Sequence, residues 1–220
     1  MSQPPSTGTP PDRTAKARPR AAKPPKPRGR TVSAEPRAPD PRPRGAARDA
    51  LLAAARAEFD EAGFEATDTN RIARRAGYAP QTFYRHFTDK TAIFVEIYRR
   101  WLEDELQDLG KAGARSADEA ARILLGHHAR HREFRRSLRR LTTSNPVVRA
   151  ARAASRRHQL ELLEAGDSAR GRSRATTTRI ALLLCIERLA DAAADGELAD
   201  LGLTPDDEVA MLADLIRRLR

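Results

Sequence analysis

The sequence predicts an all-α protein of about nine helices, with an N-terminal three-helix helix-turn-helix unit joined to a larger C-terminal helical part. Three observations carry that expectation. Twelve of the fifteen prolines lie in residues 1–44, and the other three, Pro80, Pro146 and Pro205, each stand where a helix should begin. Proline suits a first helical position, because its missing N–H would be unpaired there anyway. Apolar residues recur at three- and four-residue spacing through the rest of the chain, the period of one helix face. No stretch of four or more residues alternates convincingly with β-branched or aromatic side chains, which predicts no sheet.

Residues 1–44 are compositionally separate: they hold eleven Lys/Arg against three acids and no aromatic residue, a net charge of +8. Such a segment buries too little apolar area to offset its ordering entropy and is expected to be disordered. The chain carries +11 in all, so residues 45–220 carry only +3 (11 minus 8). The tail reads either as an arm that clings to phosphates or enters a minor groove, or as a solubilising extension. The expected organisation is therefore a basic tail over 1–44, a helix-turn-helix domain over 45–90 and a helical domain over 91–220. One cysteine, Cys185, excludes an internal disulfide and fits a reducing cytoplasm. No apolar run approaches the roughly 20 residues of a membrane span, and the first residues lack the apolar core of a secretory signal.

A first helix is expected from Ala46 to Ala62, with Leu51, Leu52, Ala55 and Phe59 inward and Gly63 ending it. Asp68 can cap the next helix, Thr69 to Ala76, whose inner residues are Ile72, Ala73 and Ala76. Gly77 stands where the chain needs positive φ, and Ala79-Pro80 restarts it. Phe83 and Phe87, four apart, share one face, while Gln81, Thr82, Arg85 and His86 point elsewhere with Tyr84 between the faces. Helix, glycine turn and short helix make the helix-turn-helix pattern, whose second helix can enter a major groove. Arg71, Arg74, Arg75, Arg85 and Lys90 against Asp89 give this stretch a local +4.

Thr88 is expected to cap a long connecting helix reaching Leu109, with Phe94, Ile97, Tyr98, Trp101, Leu102 and Leu109 along one side. Ser116 and Glu119 form a capping box. Helices to Ala129 and through Phe134, Leu138 and Leu141 follow, then one from Asn145-Pro146 to Ala165. The polar stretch Asp167 to Arg174 reads as loop. Ala175 to Ala194 is the most apolar helix, and a last one opens at Thr204-Pro205.

The run GFEATDTNRIARRAGYAPQTFYRHFTDK closely resembles the DNA-binding segment of the tetracycline-repressor (TetR) family of bacterial transcription regulators. Gly63, Phe64, Ala66, Thr67, Ile72, Ala73, Ala76, Gly77, Thr82, Tyr84, His86, Phe87 and Lys90 carry the resemblance. It covers about Ala46 to Tyr98 in motif detail and the rest only as a helical layout. The resemblance implies that Thr69, Thr82, Tyr84, His86 and Lys90 hold phosphates, while Asn70, Gln81 and Arg85 reach bases. The chemistry agrees: Asn and Gln can pair with adenine and Arg with guanine. Asp68 and Ala79 depart from the Thr and Ser usual in the family; Asp68 can still cap, and Ala79 leaves the helix start to Pro80.

The resemblance further implies a repressor that binds a palindromic operator in double-stranded DNA, dimerises through its last two helices and is released by a small molecule. The alternative is a DNA-binding regulator with no small-molecule effector, controlled by a protein partner. An effector would meet Phe94, Tyr98, Trp101 and Leu102 on the connecting helix and Thr178, Leu183 and Glu187 on the facing apolar helix. No catalytic set or phosphate-cradling loop stands out, so neither an enzyme nor a cofactor is expected. His127 and His131 share a face as zinc-binding pairs do, but they read better as a polar helix end among arginines. The cluster Arg130, Arg132, Arg135, Arg136, Arg139 and Arg140 reads as a solvated face, and Cys185 as a core residue.

Overall fold

Among the described residues, five of the ten helices start after a residue whose side chain accepts one of their unpaired amides. A computed structural model describes residues 45–113 and 116–219, so the tail expected over 1–44 lies outside the described residues. In chain order the helices are α1 (Ala46–Ala62), α2 (Thr69–Arg75), α3 (Pro80–Tyr84), α4 (Lys90–Gly113), α5 (Ala117–Arg130), α6 (Arg132–Ser144), α7 (Pro146–Ala169), α8 (Thr176–Asp195), α9 (Glu197–Asp200) and α10 (Pro205–Leu219). No strand occurs among the described residues. Nor is any helix there long and apolar enough to cross a membrane.

Asp68 accepts the Arg71 N–H at 2.8 Å, Ser116 accepts that of Glu119 at 3.0 Å, and Asn145 accepts those of Val147 and Val148. Thr204 and Asp207 cap reciprocally, each taking the other's backbone N–H. α3 has no side-chain cap and starts on Pro80. Three expectations are corrected. The residue that caps α4 is Asp89, not Thr88, because the helix begins at Lys90 and Asp89 reaches the Ala92 N–H at 2.8 Å. α7 runs on to Ala169, so Asp167 is helical rather than loop; it is buried and takes the Arg179 Nε–H at 2.9 Å. The short α9 follows α8 through Gly196, at φ 87, and the sequence reading did not anticipate it.

Two apolar cores organise these helices. The first joins Leu51 and Phe59 of α1, Ile72 of α2, Phe83 of α3, Phe94 and Trp101 of α4, Phe134 and Leu138 of α6 and Val148 of α7. Phe94 is its hub, stacked on Phe134 at 4.6 Å between centroids and edge-on to Phe59 and Phe64 at 5.2 Å, within the range of favourable aromatic pairs. The second core holds Ala120 and Leu124 of α5, Ile186 and Ala190 of α8, and Leu212 and Ile216 of α10. α4 serves both, since Leu109 near its end packs on the second. The helix-turn-helix thus shares its core with α6 and α7.

Candidate nucleic-acid interface and effector cavity

The turn between α2 and α3 is built from backbone bonds. Tyr78 N–H reaches Ala73 O at 2.9 Å and Gly77 N–H reaches Arg74 O at 3.0 Å, the two bonds of a Schellman ending. Gly77 sits at φ 76, a conformation that L side chains rarely adopt. Ile72, Phe83 and Phe87 face inward, which turns Asn70, Gln81, Arg85 and His86 outward, all exposed. Tyr84 is 58% exposed. Its phenol lies 2.9 Å from the Thr69 hydroxyl, so the two form one polar patch between α2 and α3. Thr82 is half-buried at the edge of the same surface.

Charge on this surface is lower than the sequence count of +4. Arg71 pairs with the buried Glu58, and Arg75 bridges Glu58 at 3.1 Å and Glu61 at 2.6 Å. Lys90 is turned inward: Nζ donates to the carbonyls of Phe64 at 2.6 Å and Thr67 at 2.7 Å, and lies 4.0 Å from the Phe64 ring centroid. Burial lowers the pKa of its ammonium, against the opposing pull of Glu65 and Asp68. Lys90 thereby ties α4 to the segment entering α2. Arg74 and Arg85 have no carboxylate partner among the described residues, and they are the cations this surface can offer to phosphate or base.

Between α4, α5, α7, α8 and α10 lies a cavity of about 310 Å³. Tyr98, Trp101, Leu102, Leu183 and Glu187 line it. Phe94 and Thr178 do not: Phe94 is enclosed in the first core, one turn too near the DNA reader, and Thr178 is exposed near the start of α8. The sequence reading missed five polar groups of the wall, Glu105, His128, Arg135, Arg156 and Gln159. Glu105 stands in register with Tyr98 and Trp101 on the inner stripe of α4. A carboxylate on an apolar stripe is the signal that could have found it.

Of the six arginines expected on a solvated face, Arg130, Arg132 and Arg140 are exposed, while Arg135, Arg136 and Arg139 form a network tied to α8. Arg135 is buried and donates to Asp191 through Nε at 2.8 Å and Nη2 at 3.0 Å, and to Glu187 at 3.2 Å. Its guanidinium carbon lies 4.9 Å from the Trp101 ring centroid, a cation–π distance. Arg136 and Arg139 hold Asp195, and Arg140 holds Glu65 at 2.7 Å. The histidines are likewise buried and paired. His127 meets Asp108 at 3.2 Å, His128 meets Asp191 at 2.9 Å, and His131 meets Asp60 at 2.9 Å. No metal-ligating group of three or more forms among the described residues. Cys185 is exposed on α8, not in the core.

These environments split the titrating groups. Burial pushes the Glu105 carboxyl up to about 8, with Glu187 and Asp191 adding to the effect and Arg135 opposing it. Burial also pushes the His128 imidazole down to about 4, aided by Arg135 and opposed by Asp191. Burial acts to raise Glu187, but Arg135, Arg152 and Arg156 outweigh it and hold the carboxyl at about 2.

The packed helix-turn-helix presents an exposed second helix suited to a DNA groove, and it is joined to a helical body with a cavity. Residues 51–97 match the family model described as bacterial regulatory proteins, tetR family, and over that segment the chain is similar to that family. A curated relative, the HTH-type transcriptional activator FasR of Mycolicibacterium smegmatis, is 28% identical over 81 residues, 37% of each chain. A TetR-like transcriptional regulator from Rhodococcus sp. RHA1 superposes with a TM-score of 0.55 at 21% identity, over 80% of this chain and 97% of that one. Thermus thermophilus FadR, a TetR-family repressor solved with lauroyl-CoA, superposes with a TM-score of 0.55 at 22% identity, over 78% and 92%.

Proposed function

We propose that the protein is a sequence-specific DNA-binding regulator that sits on a palindromic operator as a homodimer and is released by a small apolar effector. The observation that carries this reading is the outward row of Gln81 on α3 with Arg85 and His86 just past its end, flanked by Asn70 and the Thr69–Tyr84 hydroxyl pair. In this reading Arg85 and Gln81 meet base edges, and Tyr84, Thr82 and His86 meet phosphates, which fix register without reading sequence. Arg85→Ala is expected to cost about 1–3 kcal/mol on the operator and far less on random DNA. Tyr84→Phe should weaken both complexes alike. Paired titrations on the two duplexes decide it, and equal losses from both substitutions on both DNAs would contradict the assignment.

A partner subunit is supported by the outer face of α8. Ile180 and Leu184 are each 39% exposed there, with Ala181 and Cys185 also exposed beside them. One chain alone leaves that apolar strip in water, and a two-fold copy would cover it while matching the symmetry of a palindrome. Leu184→Arg is expected to convert a micromolar dimer to monomer in sedimentation and to abolish operator binding. A wild-type protein that is monomeric with and without operator would end the dimer reading.

The effector part rests on the cavity and on what grips the DNA reader. α6 carries Arg135 at the cavity wall. Further along, Ser137 Oγ accepts the Phe64 N–H at 2.9 Å and Arg140 binds Glu65. A Cβ at Gly63, where φ is 76, would lie 3.2 Å from Ser137 Oγ, closer than ordinary van der Waals contact. Lys90 of α4 grips the same segment through the Phe64 and Thr67 carbonyls. A ligand that displaces Arg135 or the cavity side of α4 therefore pulls on the chain entering α2. It releases DNA only by binding the non-DNA-competent state more tightly. The sign of regulation has a second reading, activation, favoured by the relative named as an activator. Reporter output from an operator-bearing promoter, with and without the protein, separates the two.

A further inference from the structure

We propose that the cavity takes a largely apolar molecule bearing a hydrogen-bond-accepting oxygen, a carbonyl or a carboxylate, seated against Trp101, Glu105 and Arg156. This rests on the effector reading above. Leu102, Leu163, Leu183 and Ile186 make much of the wall apolar, and three polar groups choose the head group. Trp101 is 2% exposed, and its indole N–H has no acceptor among the described residues. Glu105 is 4% exposed, and its Oε2 has no hydrogen-bond partner there, with His128 Nε2 at 3.6 Å. Arg156 donates through Nη2 to Glu187 at 2.6 Å, while its Nε is buried without an acceptor. A buried polar group left unpaired forfeits the hydrogen bonds it would make in water. Three around one cavity point to a ligand that satisfies them.

At neutral pH all three are donors. The indole and the guanidinium can only donate, and the Glu105 carboxyl keeps its proton up to about pH 8. His128 of α5 meets Asp191 of α8 through Nδ1 at 2.9 Å and turns Nε2 toward Glu105. The other charges at this end are Arg135 and Arg139 from α6, Arg152 and Arg156 from α7, and Glu187 and Asp191 from α8. With Glu105 neutral they sum to two positive charges, four minus two. An amine would bring more donors and a like charge. A hydrocarbon would leave all three donors unpaired. An oxygen acceptor satisfies them, and an ester and a carboxylic acid share that chemistry.

The full-length protein would be titrated with methyl decanoate, decanoic acid, decylamine and decane, with binding followed by calorimetry and by the shift in melting temperature. The ester, the acid or both should bind at least tenfold tighter than the amine and the hydrocarbon, and the ranking of the first two tells which oxygen is preferred. Trp101→Phe, which keeps the ring and removes the N–H, should reduce that preference to below threefold. Glu105→Gln keeps a donor that does not titrate. It should hold the preference at pH 9, where the wild type loses part of it. An amine or hydrocarbon that binds as tightly as both oxygen ligands overturns the head-group assignment while leaving the effector cavity intact. So does failure of all four probes, unless a broader apolar library also leaves Trp101 fluorescence and operator binding unchanged; the effector reading then falls as well.

Discussion

Replacing Arg135 with alanine is expected to lower the free energy of unfolding by about 3–5 kcal/mol, the usual cost of breaking a buried ion pair from one side. Arg135 is 3% exposed and shares Asp191 with His128 and Arg139, and Glu187 with Arg152 and Arg156. Truncation removes two of the donors to the 2% exposed side chain of Asp191 and the cation from the Trp101 face. Neutralising the carboxylate in the same background, Arg135→Ala with Asp191→Asn, should cost clearly less than the sum of the two single changes, because groups in one network do not add. Urea unfolding of the four proteins measures this. A loss below about 1 kcal/mol for Arg135→Ala, or full additivity, would show that the pair is solvated after all.

This prediction could not have been made from the sequence, and the reason is physical. The helix-turn-helix was legible because its signals are local: Asp68 three residues from the amide it caps, Gly77 at the turn, Pro80 at a helix start, Phe83 and Phe87 four apart. Tyr98, Trp101 and Leu102 could likewise be placed on the inner side of α4, and Leu183 and Glu187 opposite them, because helical period alone fixes a face. Phe94 has the same periodicity, but the aromatic rings of Phe59, Phe64 and Phe134 enclose it, and those lie up to 40 residues away (134 minus 94). Arginine on a helix reads as solvent-facing until its acids are known, and the acids of Arg135 are 52 and 56 residues distant. Cys185 erred the other way. Its apolar neighbours on α8 suggested burial, yet they include the exposed Leu184, which one chain does not cover. The charge count over α2 and α3 failed for the same reason, since Glu58 and Glu61 of α1 take up Arg71 and Arg75.

Glu105→Gln should leave stability nearly unchanged at pH 5 and make the protein more stable than wild type by about 2–4 kcal/mol at pH 8, at roughly 1.4 kcal/mol per pH unit of displaced titration. The Glu105 carboxyl ordinarily titrates near 4.5, and burial raises it to about 8 in the folded chain. The folded state therefore holds this proton more tightly than the unfolded state. Its contribution is fully present below pH 4.5 and is lost as pH rises toward 8. Glutamine has the same shape, keeps a donor and does not ionise, so the variant escapes that loss. Other groups titrate in the same experiment. His128, lowered from 6.5 to about 4, adds stability above pH 6.5 that is lost as pH falls toward 4. Glu187, held at about 2, loses its contribution only below its ordinary 4.5. Both are present in wild type and variant, so the difference between the two stability curves isolates Glu105. Chemical denaturation at half-unit steps from pH 5 to pH 8 supplies that difference. A gap that stays flat across this range would mean that Glu105 is already ionised at pH 5 and paired with a protonated His128, 3.6 Å away, and the carboxyl would then offer the cavity an acceptor in place of a donor.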